Sequence, residues 1–300
     1  MQTSTAFPSA HVFPGGNVSA FHDGIVPPEG HPDRHVDQEA YRLCAVRETF
    51  EESGILLAYN NGFGRLLEVP DEERAEGREL IHKSQVPFRT WLSKKGGRPD
   101  VDGLIPFTRW VTPPQVPKRY STQMYLYFLP IAQGGAAAAQ TGIPSETEAL
   151  IPPPTHDGGL EHTSARFLPA AEWLRLATTE DVILYPPQFT LLTLISQFLD
   201  PSVPNALTPA VLEQQRRELK EFVKGGDPSW GEACISPTSG GKAPDGREIL
   251  VLNTPPPELK GTTRRGPMEW VVLIRPTKKG LRGLELARRE DLKKHEGTKL

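Results

Sequence analysis

The residues best suited to chemistry form one short run, Arg47-Glu48-Thr49-Phe50-Glu51-Glu52-Ser53-Gly54-Ile55. On a helix, Glu51 and Glu52 lie three and four positions beyond Glu48. Three carboxylates therefore project from adjacent turns, while Phe50 points toward a core. Like charges at this spacing repel by roughly a few tenths of a kcal/mol per pair. A hard divalent cation with oxygen ligands, Mg²⁺ or Mn²⁺, would compensate that repulsion. An acidic helix face turned to solvent gives the same pattern, so these three residues alone leave both readings open. Upstream, His11-Val12-Phe13-Pro14-Gly15-Gly16 sets two glycines where backbone could approach a ligand closely.

Spacing beyond the run narrows the choice. Gly16, Glu39, Arg47, Glu48, Glu51, Glu52, Gly54 and Ile55 follow one another as G, E, seven residues, RE, two residues, EE, one residue, GI. The pattern resembles the signature box of the Nudix hydrolases, with two departures. Between Gly16 and Glu39 stand 22 residues where that box has five, and Thr49 takes a position usually given to a larger apolar side chain. The insertion is read as a loop. An expanded box of this kind resembles the branch that includes peroxisomal coenzyme A diphosphatases. Arg109-Trp110-Val111-Thr112-Pro113 and Lys118-Arg119-Tyr120-Ser121-Thr122 resemble a second pattern of that branch, with Ser121 in place of an acid.

The resemblance implies an α/β fold, a Nudix-type α/β/α sandwich around a mixed β-sheet, here followed by a C-terminal α+β extension. It implies metal-dependent hydrolysis of a nucleoside diphosphate linked to another moiety. On this branch the substrate would be coenzyme A or acyl-CoA, cut to phosphopantetheine and adenosine 3′,5′-bisphosphate. ADP-ribose or another nucleotide is the alternative substrate, and a non-catalytic Nudix-like binding module the alternative class. Glu48 and Glu52 would be the principal ligands of Mg²⁺ or Mn²⁺, with Glu51 sharing the site, Glu48 available as base and Arg47 orienting them. Glu161 stands where many members bring a further metal carboxylate, and an acid on a solvated strand edge reads equally well there. Gly15, Gly16 and Arg119 are the substrate-binding candidates, although an ion pair within the fold accounts for Arg119 as well.

These side chains need a scaffold. Ala40, Leu43, Val46 and Phe50 step by three and four and Gly54 stops the run, which predicts a helix over 38–53. Ile55 to Leu57 read as a short strand, 70–84 as an acidic-start helix, and 105–111 and 123–129 as strands. Residues 132–159 carry no apolar period and read as a loop. A strand over 161–168 follows, then helices over 170–177, 186–199 and 210–223, and strands over 248–252 and 269–274. The expected division is a Nudix domain over 1–200 and an extension with a basic tail over 201–300. Only twelve residues precede Phe13, so a first core strand is expected either to be missing or to be replaced by the strands after Glu248.

Composition excludes more than it selects. Lys and Arg number 34 against 37 Asp and Glu, a net charge of −3 that argues against a nucleic-acid coat. Two cysteines are too few for a disulfide framework, and no apolar run is long enough for a membrane helix. His11, His22, His31, His35, His156 and His162 form no zinc ligand spacing. Residues 275–300 hold nine Lys or Arg against four acids without interleaved aromatics, and read as a solvated flexible tail. Thr298-Lys299-Leu300 approximates the Ser-Lys-Leu peroxisomal address, which implies a peroxisomal import receptor as partner.

Overall fold

The computed structural model describes residues 2–4, 7–61, 66–130, 149–150, 164–199, 208–278 and 280–296. Its elements begin with β1 (Gln2–Ser4), β2 (Phe7–Val12), α1 (Glu39–Ser53), β3 (Ala58–Asn60), α2 (Asp71–His82), α3 (Phe88–Lys94) and β4 (Gly97–Pro99). There follow β5 (Ile105–Val111), β6 (Ser121–Leu126), β7 (Ala149–Leu150), β8 (Ser164–Ala165), α4 (Ala170–Thr178), α5 (Pro186–Ser196) and α6 (Pro209–Lys224). The chain closes with β9 (Cys234–Ile235), β10 (Thr238–Lys242), β11 (Glu248–Val251), β12 (Trp270–Thr277), β13 (Gly280–Arg288) and α7 (Arg289–Glu296). The α/β class expected from the sequence is what these elements form. They fall into two compact units interleaved along the chain: Met1–Thr3, Phe13–Ile105 and Tyr127–Phe167 in one, and Ser4–Val12, Pro106–Leu126 and Leu168–Leu300 in the other.

The first unit is organised around α1. Its apolar positions Ala40, Leu43, Val46 and Phe50 are all buried, and Gly54 ends the helix at φ 75°, its N–H donating to the Phe50 carbonyl at 2.9 Å. A left-handed cap of this kind favours glycine because it has no Cβ to clash. Phe50 stacks on Trp91 of α3, ring centroids 5.1 Å apart, and on Phe88 at 6.1 Å. Trp91 can lie against α2 because residue 77 is glycine; a Cβ there would fall 2.3 Å from the indole. The antiparallel pair β3–β4 aligns Tyr59 with Arg98. Ile55 to Leu57 is not the expected strand, which begins at Ala58; Leu56 and Leu57 are buried in irregular backbone after the Gly54 turn.

In the second unit β5 is the middle strand of the order β6-β5-β9, parallel to β9 with Arg109 opposite Cys234. A separate antiparallel meander runs β10-β11-β12-β13. Trp110, Ile235, Leu252, Val272 and Ile274 form one buried cluster, with Leu284 and Leu286 of β13 packed on it. The flexible tail expected from residue 275 is therefore corrected: 280–288 form a strand paired with β12, and 289–296 a helix. Net charge hid the pattern, because Leu284 and Leu286 recur with the period of a strand while Arg282 and Arg288 carry the charge. A strand also occupies 7–12, directly before Phe13, with Ala10 bridged in parallel to Ile183. Among the described residues no helix is long and apolar enough to cross a membrane.

Candidate active site

Every site residue of the first unit is set by α1 and by the two segments that flank it, 15–23 and 78–88. Arg47 is the centre. It is buried, and each N–H of its guanidinium has an acceptor. Nε and Nη2 donate to the two carboxylate oxygens of Asp23 at 2.9 and 2.8 Å, and Nη2 also donates to the Asn17 carbonyl at 3.1 Å. Nη1 donates to Glu48 Oε1 at 2.8 Å and Glu51 Oε1 at 2.7 Å. Burial works against the Arg47 charge, but the Asp23 hydrogen bonds and the Glu48 carboxylate hold its pKa above the ordinary value.

The two glycines meet two of the acids. The Gly15 N–H donates to Glu52 Oε2 at 2.9 Å. A Cβ on Gly16 would lie 2.4 Å from Glu48 Oε1, so the Glu48 carboxylate fills the space a side chain would need. Glu51 lies on the other side, where His82 Nδ1 approaches its Oε2 at 3.3 Å. Arg78 of α2 clamps the same turn of helix, donating twice to the Glu51 carbonyl at 3.0 and 2.6 Å.

These neighbours separate the three acids electrostatically. Loss of water raises the Glu48 pKa, with Arg47 opposing. Loss of water, reinforced by the Glu48 charge, pushes Glu52 up to about 8. Burial would raise Glu51 too, but hydrogen bonds from His82 and Arg47 hold it below the usual carboxylate range. His82 rises in return through its bond to Glu51. At Glu48 and Glu52 burial outweighs the nearby positive charge, and both converge on the Gly15–Gly16 backbone. An all-oxygen donor set of this kind fits a hard divalent cation. No group of three His, Cys, Asp or Glu is drawn together as a finished metal cage among the described residues. The donors that fit are Glu48 and Glu52, with Glu51 beside them.

Of the sequence candidates, Arg47, Glu48, Glu51, Glu52, Gly15 and Gly16 come together. Arg119 belongs to the second unit, where it donates to Glu258 at 2.7 Å and to the Thr112 carbonyl at 3.1 Å. Glu161 and Thr298-Lys299-Leu300 lie outside the described residues. Sequence reasoning missed Asp23, His82 and Arg78. Asp23 sits in the insertion read as a loop, and that segment is built rather than slack: Asp23 Oδ2 accepts from the Ser19 N–H at 2.9 Å, and His22, Asp23 and His35 are buried. An acid able to pair with Arg47 was the available signal, but nothing in spacing tied residue 23 to residue 47.

Comparison with known proteins finds the following similarities. Residues 29–141 match the family model of the NUDT19 Nudix domain. The acyl-coenzyme A diphosphatase NUDT19 of Gallus gallus is 28% identical over 237 residues, covering 64% of this chain and 58% of that protein. Its Xenopus laevis counterpart is 34% identical over 82 residues, 25% of this chain and 22% of that protein. A putative nudix hydrolase 7 of Caenorhabditis elegans is 30% identical over 124 residues, 41% of this chain and 36% of that protein. The matched stretches thus span less than two thirds of each relative. A crystal structure of a NUDIX hydrolase from Alicyclobacillus acidocaldarius is similar at a TM-score of 0.40 and 23% identity, covering 64% of this chain and 78% of that one. The matched stretch, residues 29–141, contains the whole run from Glu39 to Ile55 and is similar to a Nudix domain. The relatives it resembles include proteins named acyl-coenzyme A diphosphatase NUDT19.

Proposed function

We propose that the chain is a Nudix pyrophosphohydrolase that cleaves the diphosphate of coenzyme A or acyl-CoA, releasing phosphopantetheine (acylated where the substrate is) and adenosine 3′,5′-bisphosphate. The observation that carries the reading is the convergence of Glu48 and Glu52 on Gly15 and Gly16 with Arg47 holding Glu48 and Glu51. The substrate class is supported by the names of the Gallus gallus and Xenopus laevis relatives.

In this reading Glu48 and Glu52, with Glu51 sharing, hold Mg²⁺ or Mn²⁺, and Glu161 is a further proposed ligand. The bound cation would neutralise the diphosphate oxygens and favour attack by water on phosphorus. The remaining work falls to the chain. Arg47 keeps the Glu48 and Glu51 carboxylates in fixed rotamers, and Arg78 fixes the helix turn that carries Glu51. The glycine backbone lets the Glu48 carboxylate and Glu52 come close to it, which a side chain at residue 16 would prevent. Glu48, whose pKa lies above the usual carboxylate value, is suited to take the proton of the attacking water.

The test is hydrolysis of free CoA, acetyl-CoA, ADP-ribose and dinucleoside polyphosphates with Mg²⁺ or Mn²⁺ and with chelator, products identified by mass. Chelator-sensitive formation of phosphopantetheine is expected; cleavage of another panel member alone would discard CoA and keep the Nudix chemistry. Glu52→Gln removes a ligand charge at constant volume, so turnover should be abolished while the circular dichroism spectrum stays unchanged. Peroxisomal residence through Thr298-Lys299-Leu300 belongs to the same proposal. It predicts that replacing these three residues by alanines disperses a fluorescent fusion into the cytosol.

A further inference from the structure

We infer that the long insertion between Gly16 and Glu39 is a working part of the site: it supplies Asp23 as the counter-charge that keeps Arg47 from consuming the charge of the glutamates. The inference rests on the metal-binding reading above and adds a positioning residue to it.

The Asp23 side chain is 0% exposed and that of Arg47 5%, so water screens neither charge. Arg47 has five N–H donors, and they divide cleanly between two edges of the guanidinium. One edge faces the acids, with Nη1 shared by Glu48 and Glu51. The opposite edge faces the insertion, with Nε and Nη2 on Asp23 and Nη2 also on the Asn17 carbonyl. The fork-to-fork pair with Asp23 fixes the guanidinium plane, and therefore the direction of Nη1. The Ser19–Asp23 turn fixes Asp23 in its own place: the Asp23 N–H donates to the Ser19 carbonyl at 2.7 Å while its side chain accepts from the Ser19 N–H.

Charge balance makes the same point. With a cation bound, Glu48, Glu51 and Glu52 would together present three negative charges, and Arg47 alone would neutralise one of them. With Asp23 on its far edge the Arg47–Asp23 pair is neutral, and the full charge of the three acids is left for a cation. Arg47 can then orient two ligands without weakening them. Second-layer partners of this kind typically govern metal affinity by about 10–100-fold.

The experiment reads Mn²⁺ binding without substrate, by electron paramagnetic resonance of free Mn²⁺, on the full chain. Asp23→Asn keeps shape and one accepting oxygen, removes the charge and turns the other acceptor into a donor. Its dissociation constant for Mn²⁺ is expected to rise about 10–100-fold with the far-ultraviolet circular dichroism unchanged. Removing both charges, in Asp23→Asn with Arg47→Gln, restores the charge balance but loses the Arg47 hold on Glu48 and Glu51, so Mn²⁺ binding should recover in part, to a level tighter than in Asp23→Asn alone, which a purely structural role would not do. The double variant also carries the test if the single one does not fold, since a buried pair tolerates joint removal better than loss of one partner. Wild-type affinity in Asp23→Asn overturns the inference, as does a folded double variant that binds no better than the single one. A wild-type chain that binds Mn²⁺ yet cleaves nothing in the substrate panel removes the coenzyme A reading and leaves this one standing. A wild-type chain that binds no Mn²⁺ removes both.

Discussion

Residue 16 lacks a side chain where the Glu48 carboxylate occupies the space one would need. The displaced atom would be the far end of a flexible side chain, so Gly16→Ala should leave the fold intact and move the carboxylate instead. Turnover is expected to fall about 10–100-fold, with little change in Tm. His22 offers a second test at this scale. Its Nδ1 accepts the Phe88 N–H at 3.2 Å, and burial, with Arg47 nearby, lowers its pKa below 6.5. Below its unfolded pKa the unfolded chain binds a proton that the folded chain resists, so stability falls as pH drops from about 6.5 until the folded pKa is passed. His22→Asn presents an oxygen where Nδ1 stood and cannot titrate. Urea melts at pH 7.5 and 5 should show a smaller acid loss in the variant than in wild type. The glutamates and Arg47 were legible in sequence because box spacing and helical period coincide on α1. Asp23 was not, since a partner 24 positions away across an insertion leaves no periodic trace.

At the scale of elements, α1 presents its acids correctly only if its opposite face is anchored. That anchor is Phe50 stacked on Trp91, and Trp91 reaches it by lying over Gly77 of α2. Here, unlike at Gly16, the obstructing atoms belong to a buried indole with nowhere to go. Gly77→Ala should therefore destabilise the chain by about 1–3 kcal/mol through overpacking, and should reduce activity by shifting α1 together with Arg78. A urea midpoint unchanged from wild type would show that α2 and α3 are not packed as described. The sequence predicted α2 from its acidic first turn, but not α3, whose seven residues are too few to display a helical period. The strand expected at Ile55–Leu57 was misplaced for a related reason. A short apolar run reports burial, which Leu56 and Leu57 have, without reporting whether the backbone pairs.

At the scale of the whole molecule, the last segment of the chain distinguishes reading charge from reading pattern. By charge, residues 275–300 are a basic tail; by pattern, Leu284 and Leu286 face the cluster of Trp110, Ile235, Leu252, Val272 and Ile274. Leu286 stands opposite Val272 in the β12–β13 ladder, and Arg288 lies over the Trp270 ring at 3.9 Å. The basic side chains can be tolerated on such a strand because charge on an edge discourages pairing with another chain. Truncating Leu286 separates the two accounts. In a solvated tail, Leu286→Ala would cost nothing measurable. In a strand that covers part of a core it removes partly buried methyl groups, and about 2 kcal/mol of stability should be lost in urea denaturation. Arg282→Ala on the same strand is the control for charge: its ion pair with Glu180, 3.5 Å apart, involves an exposed partner and should contribute less than about 1 kcal/mol. A larger loss for Arg282 than for Leu286 would mean that charge, after all, holds this strand.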